Sequence, residues 1–253
     1  MALMRLDKFL GVTGCCTRSE AKRMIRAGSV TVNGAVVTSA DAKTDPEQDR
    51  ICFCGKEIVY RKYLYILLNK PAGVVSATED GRDRTVLDLL PEEIRRPGLF
   101  PCGRLDKNTV GLMLITDNGP LGHRLLAPNS HVEKEYVYRS KFPVTEEEAE
   151  RFRGGLVLED GYETKPAGIV LNDDGMSGRI TLVEGKYHQI KRMLEALHNQ
   201  ITYLERVRFG PLTLEGVPER GDWRFLTAEE IALLEGHGAV GGATLSNEID
   251  IEK

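Results

Sequence analysis

Residues 103–119 read GRLDKNTVGLMLITDNG, and this stretch sets the expectation for the fold around it. An arginine and an aspartate lie in an apparent loop, and the apolar run at 112–115 that follows has the length of a buried strand. A turn pattern at 117–119 closes the run. Loop aspartates often cap turns, so local spacing leaves Asp106 with two interpretations, structural or catalytic. Asp117 has the stronger turn context and is assigned a structural role.

Strand and helix patterns alternate irregularly on both sides of this stretch. Their mixture, without regular βαβ repetition, predicts an α+β fold built around a mainly antiparallel sheet. We assign residues 59–235 to this larger domain, and we expect the glycine-rich tail at 236–253 to be disordered. The predicted strands are 63–69, 112–115, 135–140, 168–171, 179–183 and 202–207, and the predicted helices are 85–90, 120–127, 145–153, 187–197 and 227–235.

A smaller N-terminal domain, which we call the head (residues 1–58), precedes that domain. Two helices are predicted in it, at 5–13 and 18–27, and Thr17 with Glu20 forms a capping-box pattern for the second. The dipeptide Asn33-Gly34 between β-branched runs is a strong hairpin signal. The head is therefore expected to contain two helices followed by a hairpin.

Positive charge is concentrated in the head, although the whole chain carries a net charge of −4. Arg18, Lys22 and Arg26 recur every four residues, so they share one helix face, which we call the basic stripe. Such a face is usually only solvated. Because acidic partners are scarce around it in the sequence, we favour RNA binding. The candidate RNA-binding residues are Arg5, Lys8, Arg18, Lys22, Arg23 and Arg26.

Residues 182–194, LVEGKYHQIKRML, place four cationic or titratable side chains at the start of a predicted helix. Cations at a helix N-terminus oppose the helix dipole, so they are not there to stabilise the helix. They predict an anion site, and the anion is either an RNA phosphate or the carboxylate of Asp106. His188 is either a hydrogen-bonded structural group or a general base. The four residues are Lys186, His188, Lys191 and Arg192.

Tyr136 and Tyr138 alternate with a valine in HVEKEYVY and so face the same side of a strand. They are either core residues or a stacking surface for an RNA base.

Composition excludes several function classes. No apolar run approaches the roughly 20 residues that cross a bilayer, and the N-terminus lacks a secretory apolar stretch, so a cytoplasmic protein is expected. The five cysteines lack the spacing of a zinc site, and no metal site is predicted. The phosphate-binding, dinucleotide-binding, nucleophile-elbow and zinc-deaminase motifs are all missing.

Two resemblances organise these observations. The segments RLDKFL and TRSEAKRMIRAGSVTVNG resemble the S4 RNA-binding domain. The rest resembles the pseudouridine synthase family, in its branch with an N-terminal S4 domain. The motifs that carry this resemblance are LLNKPAGVVS at 67–76, the stretch at 103–119, EKEY at 133–136, TKPA at 164–167 and EGKYHQIKRML at 184–194.

The resemblance implies a catalytic domain at 59–235 and a role for each matched residue. Asp106 corresponds to the essential aspartate, Tyr136 to the tyrosine that stacks on the uracil, and Lys191 to the cation that pairs with the aspartate. Arg104 corresponds to the arginine that displaces the target base. The family isomerises uridine without a cofactor. Residues expected to support the floor of the site are Lys70 and Pro71, and further substrate contacts are expected from Lys186, His188 and Arg192.

The implied substrate is ribosomal RNA, either free or in a ribosome assembly intermediate, and a monomer without membrane contact is expected. TKPA and the compact C-terminal part resemble the small-subunit members of the family more than the longer ones, and this resemblance implies 16S rRNA, at the uridine of position 516, over 23S rRNA. Two other functions fit parts of the sequence, a non-catalytic assembly factor and a glycoside hydrolase. A non-catalytic assembly factor would need neither Asp106 nor Tyr136. A glycoside hydrolase typically uses two carboxylates about 5–10 Å apart, and only one convincing loop carboxylate is found.

Overall fold

The computed structural model describes residues 3–127 and 129–237, so the predicted disordered tail lies outside the described residues apart from its first two positions. The chain divides into two compact units. One comprises the chain up to Leu64 together with Leu87–Phe100, and the other comprises Tyr65–Val86 together with the chain from Pro101 onward.

The first unit contains the predicted pair of helices and the hairpin. Thr17 caps its second helix in a capping box with Glu20, which satisfies backbone donors that the first helical turn leaves open. Asn33 and Gly34 have φ angles of 52° and 85°, the left-handed values that a type I′ hairpin turn requires. The elements are β1 (Met4–Arg5), α1 (Leu6–Val12), α2 (Arg18–Arg26), β2 (Val30–Val32), β3 (Ala35–Val36), β4 (Lys43–Thr44), β5 (Ile51–Phe53) and β6 (Lys56–Ile58).

These elements enclose a small apolar core. Strand β1 pairs with β4, and a second sheet has the order β3-β2-β5-β6. Because their apolar residues recur at helical spacing, each helix has one apolar face, and that face packs on this core. The fully buried core residues of the two helices are Leu6, Phe9, Leu10, Ala21 and Ile25.

The helix predicted at 85–90 is wrong. Only a 3-10 turn, Leu87–Leu89, forms there. Thr85 instead makes a β-bridge with Val75. Pro91 also disfavours helical geometry at the residue before it. Four apolar residues in six were too short a pattern to distinguish a helix from an extended segment.

The second unit is built on one large sheet, with the strand path β11-β12-β10-β13-β9-β7-β15. Along this path β13 and β9 are parallel, and the other neighbours are antiparallel. The prediction of an α+β fold with a mainly antiparallel sheet is confirmed. The helices and strands after Ile58 are β7 (Tyr65–Lys70), β8 (Phe100–Pro101), β9 (Val110–Thr116), α3 (Gly119–Leu126), β10 (Lys134–Ser140), α4 (Glu146–Gly154), β11 (Gly168–Leu171), β12 (Ser177–Leu182), α5 (Gln189–Glu195), β13 (Ile201–Phe209), β14 (Leu212–Thr213), β15 (Trp223–Phe225) and α6 (Ala228–Gly236).

Strands β7 and β9 are neighbours in this sheet. Every residue of both is buried, which indicates that both faces of the sheet are covered there. Strands β10 and β12 instead alternate between buried and more exposed residues. In the register of the β7–β9 pair, Lys70 lies opposite Gly111. The end of LLNK and the loop that precedes β9 therefore meet at one edge of the core.

Gly111 marks a point where β9 approaches β13 too closely for a side chain. Its φ is +99°, and a Cβ there would lie 2.3 Å from the Arg206 carbonyl oxygen. We expect Gly111→Ala to lower the free energy of unfolding by about 3 kcal/mol or more, because it adds overpacking to a left-handed backbone. Urea unfolding measures this. Gly119→Ala is the matched control, since no atom lies within 4 Å of its added Cβ. Equal stability of the two variants would contradict the prediction.

Candidate active site

Asp106 lies in a loop that is fixed by the buried ammonium group of Lys70. Lys70 has no exposed surface. Its Nζ donates to the carbonyl oxygens of Asp106 at 3.1 Å, Lys107 at 3.2 Å and Thr109 at 2.8 Å, and it also contacts that of Pro71 at 3.1 Å. These four carbonyl groups converge on one cation, and that of Asp106 also accepts the Thr109 N–H at 3.0 Å. We call this arrangement the Lys70 cage.

The segment that follows β7 holds the same loop from its other side. Gly73 donates its backbone N–H to the Lys107 carbonyl oxygen at 2.9 Å. The Ser76 hydroxyl donates to the Leu105 carbonyl at 2.8 Å and accepts from the Leu105 N–H at 3.0 Å. The residues on both sides of Asp106 are thus anchored by the motif KPAGVVS. These contacts place Lys70 and Pro71 beside the Asp106 loop, and their support of a catalytic site stays a prediction.

Each carboxylate oxygen of Asp106 contacts a nitrogen from the α5 region. Lys191 Nζ lies 2.5 Å from Oδ2, and His188 Nε2 lies 3.3 Å from Oδ1. About a quarter of the Asp106 and Lys191 side chains is exposed, so the pair is reachable from solvent. Of the two anions that the sequence left open for this helix start, the structure places the Asp106 carboxylate there. The arrangement presents one carboxylate, oriented by two nitrogen donors, at an accessible surface.

A buried polar network positions the turn before α5. Glu184 accepts from the Tyr162 hydroxyl at 2.8 Å and from the Lys165 N–H at 3.0 Å. It also accepts from the Gln189 side-chain amide, whose oxygen in turn accepts the Lys186 N–H at 2.9 Å. Because this network fixes both ends of the turn, the histidine that follows Tyr187 is held in a defined orientation.

The remaining predicted substrate contacts lie in different surroundings. Arg104 is exposed and has no ion pair among the residues that the structure describes. Arg192 pairs with Asp160 at 2.5 Å and contacts neither oxygen of Asp106. Lys186 extends over the Tyr162 ring, 4.9 Å from its centroid. The cluster predicted at the helix start is therefore divided between the carboxylate and the neighbouring surface.

Tyr136 lies on β10 opposite Arg206 of β13. It is 8% exposed, and Tyr138 on the same side of the strand is fully buried. Arg206 in turn lies beside Gly111 of β9. Tyr136 is therefore two strands away from the chain segment that leads out of the Asp106 loop.

In the head, the buried carboxylate of Asp7 changes the interpretation of the basic residues. It accepts from Arg5 at 3.1 and 3.2 Å and from Arg18 at 3.3 Å. Burial alone would raise the pKa of Asp7, but these two arginines outweigh it and hold the pKa below its usual value. The expectation that the basic stripe lacks acidic partners is thus wrong for Arg18. Within the described ranges, Lys8, Lys22 and Arg26 form no ion pair and remain exposed.

Two sequence families match the chain. The family described as RNA pseudouridylate synthase matches residues 64–196, and the S4 domain matches residues 4–49. This chain belongs to the RNA pseudouridylate synthase family. The synthase assignment agrees with the motif order of the sequence, and the enzyme class and fold class expected from it are confirmed.

Relatives of this synthase are similar over nearly their whole length. It is 42% identical to an uncharacterized RNA pseudouridine synthase of Bacillus subtilis, over 91% of this chain and 98% of the relative. It is 40% identical to the ribosomal small subunit pseudouridine synthase A of Escherichia coli, over 90% and 99% of the two chains. A crystal structure of a pseudouridylate synthase superposes with a TM-score of 0.63 at 35% identity, covering 91% of this chain and 99% of that one.

Among the described residues of the synthase, no helix is long and apolar enough to cross a membrane, and no group of three His, Cys, Asp or Glu side chains is placed to hold a metal ion.

Sequence reasoning missed Arg206, which is only 2% exposed. Its Nε donates to the Leu112 carbonyl oxygen at 2.8 Å, and its guanidinium lies 5.1 Å from the Phe209 ring centroid. It has no carboxylate partner in the part of the chain that the structure describes. A signal was present in the sequence, because Arg206 is in phase with the buried Leu204 along a strand. The synthase therefore carries an unpaired guanidinium next to the strand that follows its Asp106 loop.

Lys134 is a second buried cation of the synthase, on the same face of β10 as Tyr136. Its Nζ donates to the Val132 carbonyl at 2.7 Å. Burial lowers the pKa of Lys134 to about 8, and the charge of Arg206 acts in the same direction. Burial likewise lowers the pKa of Lys70 to about 8, with the charge of Asp106 opposing and those of Arg206 and Lys191 assisting. The core beside the site is thus rich in positive charge.

The low pKa of Lys134 predicts a pH dependence of stability. Between pH 8 and 10.5 the unfolded chain binds a proton there that the folded chain has released, so this lysine makes the free energy of unfolding rise with pH. The cost of burying its charge is fully present below pH 8. Lys134→Met removes this contribution. We expect the stability of wild type relative to Lys134→Met to increase from pH 8 to pH 10, as measured by urea unfolding. A constant difference would contradict the assignment.

Proposed function

We propose that this synthase converts a uridine of 16S rRNA to pseudouridine, at the position-516 uridine, with Asp106 as the catalytic carboxylate. The single observation that carries the proposal is the placement of Asp106, whose two oxygens contact Lys191 and His188 at the surface of a loop fixed from below. The choice of RNA is supported by the relatives of about 40% identity whose names specify the ribosomal small subunit.

The chemistry suits one oriented carboxylate. The N1–C1′ bond of the uridine breaks, the uracil turns, and a C5–C1′ bond forms. The C5 proton is lost and N1 gains one, so the product is an isomer and no electrons are exchanged. Asp106 either attacks C1′ or removes a proton from the ribose. Both routes use its charged form, and the ammonium group of Lys191 lies against it.

The other residues are proposed to bring the uridine to the carboxylate. The base must leave its stack, at a cost on the order of a few kcal/mol. Arg104, exposed and without an ion pair in the described ranges, takes part in displacing it, and Tyr136 stacks on the uracil, worth about 1–3 kcal/mol. Lys186 and His188 contact the RNA beside the site. Arg192 joins them only after it releases Asp160.

The cellular setting follows from the substrate. We propose that the synthase acts in the cytoplasm as a monomer on ribosomal RNA or a ribosome assembly intermediate, with residues 1–58 as an RNA-binding head and residues 59–235 as the catalytic domain.

Pseudouridine mapping tests this proposal. Ribosomal RNA from cells with and without the gene is labelled with carbodiimide and read by primer extension. Loss of one signal in 16S rRNA is the expected result. Loss of a signal in 23S rRNA would retain the reaction and overturn the choice of RNA. Unchanged maps for both RNAs would favour a non-catalytic assembly factor over the proposed enzyme.

The basic stripe of the head is expected to supply part of the RNA affinity. We predict that the double change Lys22→Glu with Arg26→Glu weakens binding and reduces the dependence of log affinity on log salt by about 1–2, because each phosphate contact contributes roughly 0.7–0.9. Filter binding over a salt series measures both quantities. The matched control is Lys43→Glu with Lys56→Glu, an equal charge change at two exposed lysines of the same unit. If both doubles behave alike, the stripe is not the RNA anchor.

A further inference from the structure

Tyr187 is an exposed aromatic side chain beside the proposed catalytic carboxylate. It is 70% exposed, more than any other large hydrophobic side chain in the described part of the chain. Lys186 and His188 on either side have proposed roles, and Tyr187 has none so far. A single exposed ring carries no meaning by itself, so its support and its position decide what it can do.

The ring is held rather than free. It stacks on the imidazole of His188, with ring centroids 3.8 Å apart and an angle of 17° between the planes. His188 has a left-handed backbone, with φ 50° and ψ 31°. The turn beneath is closed by the bond from the Gln189 N–H to the Lys186 carbonyl at 3.2 Å. A fixed ring with one face covered and the remainder in solvent offers a preformed stacking surface.

The position of this surface is set by the same histidine. His188 backs Tyr187 on one side and contacts Asp106 through Nε2 at 3.3 Å. A base stacked on Tyr187 is therefore separated only by the Tyr187 ring from His188, the residue that contacts the Asp106 carboxylate. The target uracil is assigned to Tyr136, so a base on Tyr187 belongs to a different nucleotide of the same RNA.

A cation for the backbone of that nucleotide is supplied by the preceding residue, whose Nζ lies 4.9 Å from the Tyr162 ring centroid. Lys186 is exposed, and among the described residues it has no carboxylate at ion-pair distance. Single-stranded RNA is bound where aromatic rings receive bases and cations receive phosphates. Tyr187 and Lys186 supply one of each within two residues.

We propose that Tyr187 is a base-stacking subsite for a nucleotide adjacent to the target uridine, with Lys186 receiving its phosphate. This inference rests on the proposed function, since it takes an RNA whose uridine has been drawn to Asp106. The stack on Tyr187 replaces the stacking partner that the neighbouring base loses when the uridine leaves, and it holds the opened RNA in place during the reaction.

Two substitutions distinguish the contribution of the Tyr187 ring from that of its hydroxyl group. Tyr187→Leu removes the stacking surface, and Tyr187→Phe retains it. We expect kcat/KM, measured by tritium release from a 16S transcript labelled at uridine C5, to fall about tenfold or more for Tyr187→Leu and to stay within about twofold for Tyr187→Phe. The slope of log affinity against log salt should not change for Tyr187→Leu. For Lys186→Gln, which loses a phosphate contact, the magnitude of this slope should fall by about 0.7.

A fluorescent probe reports stacking without turnover. In a single-stranded oligoribonucleotide containing 2-aminopurine, stacking on Tyr187 quenches the fluorescence, so binding of wild type and Tyr187→Phe should quench it more than binding of Tyr187→Leu. Phe142→Leu is the matched control, because Phe142 is 52% exposed, lies under Lys141 and is beyond the far end of β10. It should behave as wild type in both assays.

The outcomes distinguish this inference from the proposed function. Wild-type turnover with equal kcat/KM and equal quenching for Tyr187→Leu overturns the subsite. A loss for Tyr187→Phe as large as that for Tyr187→Leu also overturns it, because the hydroxyl would then be the active group. Absent wild-type turnover on 16S rRNA together with the expected quenching difference overturns the substrate proposal and supports the stacking subsite.

Discussion

Asp106→Asn should abolish pseudouridine formation while RNA binding persists. Replacing a group that acts directly on the reacting atoms typically costs about 10⁴-fold or more in rate. The amide is nearly isosteric and can still contact Lys191 and His188, so the loop should keep its conformation. The pair is partly exposed, so we expect a stability change within about 1 kcal/mol. Tritium release from uridine C5 measures the rate, and filter binding measures affinity for the same RNA.

Asp117→Asn is the control for this substitution. It makes the same chemical change eleven residues later, in the turn that closes the same stretch of sequence. We expect it to retain activity within a few-fold, since residues outside a catalytic unit mainly affect stability. If Asp106→Asn retained wild-type turnover, the Asp106 carboxylate would have no chemical role. The stretch at 103–119 would then have only a structural role.

Lys70→Met should both destabilise the fold and inactivate the enzyme. Methionine has a similar volume but donates no hydrogen bond. The cage carbonyls of Pro71 and Thr109 lose their Lys70 donor, whereas those of Asp106 and Lys107 keep backbone N–H donors. Each buried acceptor left unsatisfied costs about 1–3 kcal/mol, offset in part by the removed burial of a charge. We expect a net loss of about 3 kcal/mol in the free energy of unfolding. Urea unfolding at pH 7 measures it.

The loss of activity follows from the geometry of the cage. Without the hydrogen bonds from Lys70, the backbone of the Asp106 loop can shift. A displacement of about 1 Å can cost about 10²-fold in rate. We expect kcat to fall more than KM changes, because RNA contacts outside the loop persist. Lys107→Met is the stability control, since its ammonium lies at the surface in an ion pair with Asp83. Equal stability of the two methionine variants would show that the cage contributes nothing.

The features that sequence predicted well are those with local causes. The capping box of Thr17 and Glu20 and the turn at Asn33-Gly34 each depend on residues within four positions of one another, and both form as predicted. The cations at the start of α5 could be assigned to an anion from the helix dipole alone. The identity of Asp106 as that anion was one of two options, and only the structure decides between them.

The features that sequence could not predict depend on backbone or on distant pairs. The Lys70 cage is made of carbonyl groups, which every residue carries, so no residue pattern announces it. Asp7 lies eleven residues from Arg18, beyond any helical repeat, and so its ion pair was missed. The exposed ring of Tyr187 was passed over because a tyrosine among cations has no periodic signature. In each case three-dimensional proximity, not spacing, creates the feature.

The order in which the strands pair has a consequence for newly made chains. In the larger domain Val110 pairs with Glu205 and Leu68 with Trp223, whereas the pairings of the head join residues within 4–58. Long-range pairings wait for the later segment to be synthesised and form slowly. A chain emerging from a ribosome therefore completes its head before its sheet. The sheet is complete only when Trp223–Phe225 has joined β7, so its last strand waits for the end of the domain to be synthesised.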